Sequence, residues 1–309
     1  MKTFLKFSFS VALFSMLTLF SACDDDDDQA AAPQSIVEIA VSNPDFSTLV
    51  AALTKADLVE VLEGDGPFTV FAPTNDAFAD LLADLGATSL DDLTAEQLTP
   101  ILLNHVVSGE FKSTDLESGY VPSVNNSGPG ERNIDLFIEV HTGVAINGGI
   151  NVTSADINAS NGVIHVIDKV ILPTDVVDIA VANDNFSSLV GALSTADGDL
   201  VNVLKGDGPF TIFAPVDAAF DEIAGVVAGL STAQLSEVLQ YHVVSGANVV
   251  SSSLTDGQVV TTLNGTFTVN ISGGVVTITD ESGATATVIA TDVQGTNGVI
   301  HVIDKVLLK

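Results

Sequence analysis

Asn161-Gly-Val-Ile-His-Val-Ile-Asp-Lys-Val170 occurs a second time, unchanged, as Asn297-Gly-Val-Ile-His-Val-Ile-Asp-Lys-Val306. Other blocks recur in the same order around it. Gly64-Asp-Gly-Pro-Phe-Thr-Val-Phe-Ala-Pro73 returns as Gly206-Asp-Gly-Pro-Phe-Thr-Ile-Phe-Ala-Pro215, His105-Val-Val-Ser-Gly109 as His242-Val-Val-Ser-Gly246, and Ile36-Val-Glu-Ile-Ala-Val41 as Val176-Val-Asp-Ile-Ala-Val181. The offsets run from 136 residues (161 to 297) to 142 (64 to 206). A period of that length is a globular domain copied in tandem, because solenoid repeats are only a few tens of residues long. The copies are expected at 34–172 and 174–309, joined through Pro173. So short a proline-containing joint should restrict their relative orientation.

Ahead of the first copy stand Met1-Lys-Thr-Phe-Leu-Lys6, an apolar run from Phe7 to Phe20, and Ser21-Ala22-Cys23. The run is too short for a comfortable bilayer span of about 20 residues and reads as a signal peptide over 1–22. Cys23 is the sole cysteine, so no intrachain disulfide can form. Its place after small residues resembles a bacterial lipobox, which makes Cys23 the expected lipid anchor; the alternative is an ordinary secretory signal with an incidental thiol. Asp24 to Asp28 then form a solvated, self-repelling tether that completes a 23–33 linker. An acidic run at this place resembles the export signal of Bacteroidetes-type surface lipoproteins. The expected location is therefore the bacterial outer membrane, lipid-anchored and surface-exposed, with a periplasm-facing anchor or a cation-collecting spacer as alternatives.

The formal net charge is −31. Removing residues 1–22 takes away Lys2 and Lys6 and leaves 7 basic against 40 acidic side chains, or −33. Nucleic acid is excluded as a partner on this ground, since phosphate binding needs a basic face. Adhesion to another anionic surface would need screening or bridging cations.

Each copy opens with helical spacing: Ile39, Phe46, Leu49, Val50 and Leu53, then Ile179, Phe186, Leu189, Val190 and Leu193. Asp45 and Asp184 are expected as caps or first-turn acids. The Gly-Asp-Gly-Pro turns lead into strands ending at Pro73 and Pro215. Helices are expected from Asn75 and Asp217, where Phe78, Leu81, Leu82 and Leu85 match Phe220, Ile223, Ala224 and Val227, and again over 95–104 and 232–241. The back half of each copy alternates with period 2, as in Ile134, Leu136, Ile138 and Val140, and in Phe267, Val269 and Ile271. Asn264-Gly265 and Gly273-Gly274 are hairpin signals. Val163 to Ile167 is apolar on both faces and reads as a covered strand. Helices first and strands afterwards predict an α+β domain.

Thr69-Val-Phe-Ala-Pro-Thr-Asn-Asp-Ala-Phe78, its counterpart from Thr211 to Phe220, the His-Val-Val-Ser-Gly blocks and the repeated Asn-Gly-Val-Ile-His stretch resemble the fasciclin (FAS1) domain family. The resemblance covers both copies. It implies two tandem FAS1 domains, each a β-sandwich or wedge decorated with N-terminal helices, an extracellular location, and a role in adhesion and matrix contact.

His105 and His165, with His242 and His301, recur as pairs. Two histidines per copy with no cysteine are too few for a zinc site, and no metal or other cofactor is expected. A Tyr-His pair, implied by the resemblance as a partner-contacting element, stands as Tyr241-His242 but as Asn104-His105 in the first copy. Tyr241, His242 and His105 are therefore candidate binding residues, although their apolar context favours packing between helix and sheet over direct contact. Arg132, the chain's only arginine, joins them at the end of a Pro/Gly/Asn-rich loop, Tyr120 to Arg132, that the second copy lacks. Asp168-Lys169 and Asp304-Lys305 read as surface charge pairs. No nucleophile elbow or phosphate loop is present, so no catalytic residue is expected. The leading expectation is a non-enzymatic adhesion protein contacting extracellular protein or glycan, with cations bridging; the alternative is an envelope carrier for a small apolar ligand or haem.

Overall fold

The change from a 3.6-residue to a 2-residue hydrophobic period within each copy becomes a change from helices to strands. In the computed structural model, which describes residues 32–309, the first copy runs α1 (Ile36–Ser42), α2 (Ser47–Lys55), α3 (Val59–Leu62), β1 (Phe68–Pro73), α4 (Asn75–Asp84), α5 (Ala95–Leu103), β2 (Val106–Ser108), β3 (Gly119–Pro122), β4 (Asp135–Val140), β5 (Val144–Ile146), β6 (Ile150–Ala159) and β7 (Gly162–Ile167). The second runs α6 (Val176–Ala182), α7 (Ser187–Thr195), α8 (Leu200–Leu204), β8 (Phe210–Pro215), α9 (Asp217–Glu222), α10 (Ala224–Val227), α11 (Thr232–Tyr241), β9 (Val243–Ser245), β10 (Val259–Thr262), β11 (Gly265–Ser272), β12 (Val275–Thr279), β13 (Thr285–Gly295) and β14 (Gly298–Ile303). The segment expected as a signal peptide, Cys23 and the Asp24–Asp28 tract lie outside the described residues. Among the described residues, no single helix is long and apolar enough to cross a membrane.

Each copy builds one seven-stranded sheet, ordered β2-β1-β7-β6-β5-β4-β3 and β10-β11-β12-β13-β14-β8-β9. The central pairs β1–β7 and β8–β14 are parallel and the other pairs antiparallel. Val107 bridges Ser123, which brings β2 back beside β3 and curls the sheet into a wedge. Each central strand then has two apolar faces. Val70 and Ile164 join Phe46, Leu49, Phe78 and Leu98 under the helices, while Phe71 and Ile167 join Leu136, Ile138 and Ile146 inside the curl. This double cover is why the Val163 to Ile167 run lacks polar alternation.

The repeated decapeptide is a fastening point. Asn161 Nδ2 donates to Leu62 O and Gly64 O, and its Oδ1 accepts from Ile36 N at the start of α1. Asn297 repeats this with Leu204 O, Gly206 O and Val176 N. One amide thus ties the first helix, the Gly-Asp-Gly-Pro turn and the last strand. Gly162 is obligatory beside it, since a Cβ there would lie 2.0 Å from Phe68 O at φ +152°.

Asp45 and Asp184 take the second of the two roles expected of them, as first-turn acids of the single 3₁₀ turns after α1 and α6, while Asn43 and Asn183 cap those turns by accepting from Asp45 N and Asn185 N. Other local expectations are corrected. The helix expected to continue from Asp217 through Val227 breaks at Ile223 into α9 and α10, where Gly225 and two valines replace better helix formers. Asp168 is not half of a charge pair. Its carboxylate accepts from Asn151 N and Nδ2, and Asp304 accepts from Thr287 N, so they pin the neighbouring strands β6 and β13 to the ends of β7 and β14.

Pro33–Lys309 forms one compact unit, and polar contacts join its halves. Tyr120 OH accepts from Asn183 Nδ2 at 2.8 Å, and Tyr120 packs against the second core. Asp135 Oδ2 accepts from Gln294 N at 2.7 Å. The Tyr120–Arg132 segment, open to reading either as a binding loop or as a tolerated surface insertion, is in large part an interdomain clamp, with Pro129 O accepting from Asn248 Nδ2.

Candidate binding surfaces

The recurring histidines sit where helix meets sheet, and their backbone neighbours occupy both ring nitrogens. In His105, Nδ1 lies 2.7 Å from Ile101 O and Nε2 accepts from Ile171 N at 2.8 Å. In His242, Nδ1 lies 2.8 Å from Val238 O and Nε2 accepts from Leu307 N at 2.9 Å. These bonds fix a neutral ring with the proton on Nδ1. Burial lowers both rings to about 4, against the raising effect of the carbonyl bond. Each ring staples a helix end to the segment after the last strand. His165 and His301 work likewise: Nε2 faces Phe111 O or Val249 O, and Nδ1 accepts from Asp156 N or Asp292 N. Burial lowers the His301 pKa as well. Metal or haem ligation by any of the four would break a bond already made.

The apolar cavities beside His105 and His242 measure about 20 Å³ each. That is room for little more than one water-sized sphere, far below a haem. Among the described residues, no group of three or more His, Cys, Asp or Glu side chains is placed to hold a metal ion.

Tyr241 is fully buried. Its hydroxyl donates to Thr266 O at 2.6 Å and accepts from Glu281 N at 3.1 Å, and burial raises its pKa. The first copy's Asn104 does a different job in the same place. Its Oδ1 is 3.2 Å from Ser123 Oγ and 3.4 Å from Asn125 Nδ2, and its Nδ2 donates to Leu172 O. The missing tyrosine and the extra loop are therefore one change: a short amide anchors the loop that reaches the second domain. Of the four candidate binding residues, Tyr241, His242 and His105 are interior and hold the fold, while Arg132 is exposed beyond the Gly128–Arg132 bridge.

Concave exposed surface lies elsewhere, around α4. One open cleft of about 770 Å³ is lined by Leu85, Thr88, Asp92, Gln97 and Ile101. Another of about 360 Å³ is lined by Asp80, Leu81, Asp84, Lys169 and Leu172. Sequence reasoning treated Leu85 as the last core position of a helix, yet Leu85 and Leu172 are both exposed. The available signal was the pair Asp80 and Asp84, one turn apart on a helix whose other side is buried. Asp92 is held below the usual carboxylate range by bonds from Thr88 and Ser89, so this cleft keeps its negative charge.

Known proteins resemble this chain in sequence. Protein sll1483 of Synechocystis sp. is 50% identical over 139 residues, 45% of this chain and 73% of that protein. Periostin of Homo sapiens is 33% identical over 263 residues, and the transforming growth factor-beta-induced protein ig-h3 of Sus scrofa is 30% identical over 258. Those alignments take in 81% and 80% of this chain but 29% and 35% of the two animal proteins. A solved FAS1 domain pair from the insect cell adhesion molecule fasciclin I aligns with 84% of this chain and 92% of its own length, at 20% identity and a TM-score of 0.49. The fasciclin domain matches at residues 44–173 and again at 184–309, and with both halves accounted for the chain belongs to the fasciclin family as two tandem FAS1 domains.

Proposed function

We propose that this chain is a non-enzymatic adhesion or binding protein of the cell surface or envelope, held by a lipid on Cys23 and contacting extracellular protein or glycan through its FAS1 domains. The observation that carries this reading is the tandem FAS1 architecture across nearly all of residues 34–309, in which the recurring histidines and Tyr241 are committed to internal bonds. Contact falls to exposed surface: Arg132 and the clefts flanking α4. Their carboxylates, in a chain of net charge −31, make divalent cations the natural bridge to another anionic surface. The carrier alternative is weaker, because the cavities beside the histidines are small and the ring nitrogens engaged.

The test is retention under flow of beads bearing the Gln29–Lys309 fragment, on cells and on matrix-protein and glycan panels, with calcium and with chelator. Specific retention that chelator reduces is the expected result. No retention on any surface in any salt would reject the reading.

A further inference from the structure

The two domains meet through one of two equivalent faces, and the other is bare. In domain 1 the outer face of β3 and β4 carries Tyr120, Asp135 and Phe137, and this face docks on Asn183 and Gln294 of domain 2. Backbone bonds locate the same face in domain 2. Val124 N donates to Val106 O, and Leu263 N donates to Val243 O, so Val124 and Leu263 correspond. Counting back, and following the pairs Val121↔Leu136 and Val260↔Phe267, places Val259 at the position of Tyr120, Thr266 at that of Asp135 and Thr268 at that of Phe137. Val259 is 62% exposed. Across the neighbouring strands the row continues Thr268↔Thr279↔Thr285. Within β10–β12 the outward positions include no Asp, Glu, Lys or Arg, although the chain carries a net charge of −31; the first carboxylate of the row is Glu281 at its edge, whose Oε1 accepts from Thr266 N.

The receiving side also has a twin. In domain 2 it includes the end of α6, where a Cβ on Gly148 would lie 2.6 Å from Ala182 O, together with Asn183. Val181-Ala182-Asn183 corresponds to Val41-Ser42-Asn43 in domain 1, and Asn43 caps its 3₁₀ turn just as Asn183 does. There the shoulder is uncovered: Ser42 is exposed and Asn43 half-buried, where Ala182 is half-buried and Asn183 buried.

We propose that the outer face of β10–β12 is an interaction surface for a second copy of this chain, which docks the end of its α1 there so that copies join head to tail. The contact repeats the geometry already used between the domains. Any pairing of the acidic surfaces would set carboxylate against carboxylate, whereas the outward positions within β10–β12 carry no charge and Glu281 and Asp256 stand at the rim, engaged by Thr266 N and Ile271 N. Because the two surfaces differ, the contact is heterologous and leaves a free site at each end, which gives open chains. Val259 lacks the hydroxyl by which Tyr120 reaches Asn183, and the partner is untethered, so the contact is weaker than its intramolecular counterpart. Long-range repulsion between copies opposes it, so added salt strengthens it. The proposal does not depend on the adhesion reading, because self-association is measured without any other surface.

Sedimentation velocity of the Pro33–Lys309 unit, over a range of concentrations and from about 0.15 M to about 1 M salt, tests this. The expected result is species that grow past a dimer with concentration and with salt. Val259→Glu and Ser42→Glu, both at exposed positions, should each weaken association roughly tenfold or more without lowering the melting temperature. An equal mixture of the two variants should recover a dimer and nothing longer, since only one intact pair of surfaces remains between them. Val259→Tyr should strengthen assembly. A monomer under all conditions, assembly that ignores both glutamates, or a mixture that stays monomeric would overturn the proposal; the last result, with a wild-type dimer that grows no further, would mark a face-to-face pair.

Discussion

Replacing Asp135 with Asn isolates the electrostatic cost of the joint between the domains. Asp135 lies against domain 2 with Oδ2 2.7 Å from Gln294 N. Burial raises its carboxyl from 3.8 to about 6, the Gln294 bond opposes the rise, and the charge of Asp292 adds to it. Below about pH 4 the side chain is protonated in the folded and unfolded chain alike and costs nothing; between about 4 and 6 only the folded form keeps its proton, so stability falls as pH rises; above that window the full cost remains. At about 1.4 kcal/mol per pH unit, the gap between 3.8 and about 6 corresponds to about 3 kcal/mol. Asparagine carries no charge, and its Oδ1 can accept the same bond. Asp135→Asn should therefore stabilise Pro33–Lys309 by up to about 3 kcal/mol near neutral pH and by little near pH 4. Urea unfolding of both proteins at the two pH values measures this, and the difference between them cancels every other titrating group. A difference that is zero, or equal at both pH values, would refute the reasoning.

His105→Ala and His242→Ala should each cost about 2–4 kcal/mol, because each leaves a buried carbonyl and a buried amide unpaired; unchanged thermal melts would remove the staple role. Both rings are neutral in the fold, with pKa lowered from 6.5 to about 4, so stability they contribute near neutrality is lost as pH falls through that window, opposite in sign to Asp135, and the alanine variants should flatten the acid limb of a stability–pH curve. Asn161→Ala removes three bonds at one point and should destabilise domain 1 by about 3 kcal/mol, which a second, earlier melting transition would report. Tyr120→Phe loses the bond to Asn183 at a cost of about 1 kcal/mol; faster proteolysis at the Pro173 joint is expected, and an unchanged rate would deny the clamp.

The repeated blocks made the duplication and the family legible, because motifs such as Asn161-Gly-Val-Ile-His are constrained at almost every position by backbone contacts. The helices from Asn75 and Thr232 were readable from their periodicity. What Asn161 ties together was not, since its partners lie far away in sequence and only topology brings them near. The same limit hid the fate of the Tyr120–Arg132 loop. A Pro/Gly-rich insertion looks alike whether it waves in solvent or leans on a neighbouring domain, and the clue was the distant exchange of Tyr241 for Asn104. Burial of Tyr241 and the histidines was legible from their apolar surroundings, and the interior positions agree with that packing role. The clefts around α4 escaped notice because concavity belongs to the gaps between elements.

The reach of the Asn161 amide governs how the protein comes into being. Its bonds to Leu62 and Ile36 close stretches of 99 and 125 residues, and β1 waits for β7 as its parallel neighbour. A chain emerging from its N-terminus therefore holds α1, α2 and β1 with their apolar sides uncovered until the end of the first domain is available, and loop closure on that scale is slow. Interruption at Ser160 would remove β7 and with it both the β1–β7 and β6–β7 pairings, whereas interruption at Pro173 would leave the domain whole, with the Tyr120 face newly bare. Holdase capture of nascent chains should thus peak late in each domain and collapse abruptly as its final strand arrives, giving two bursts of vulnerability per molecule synthesised.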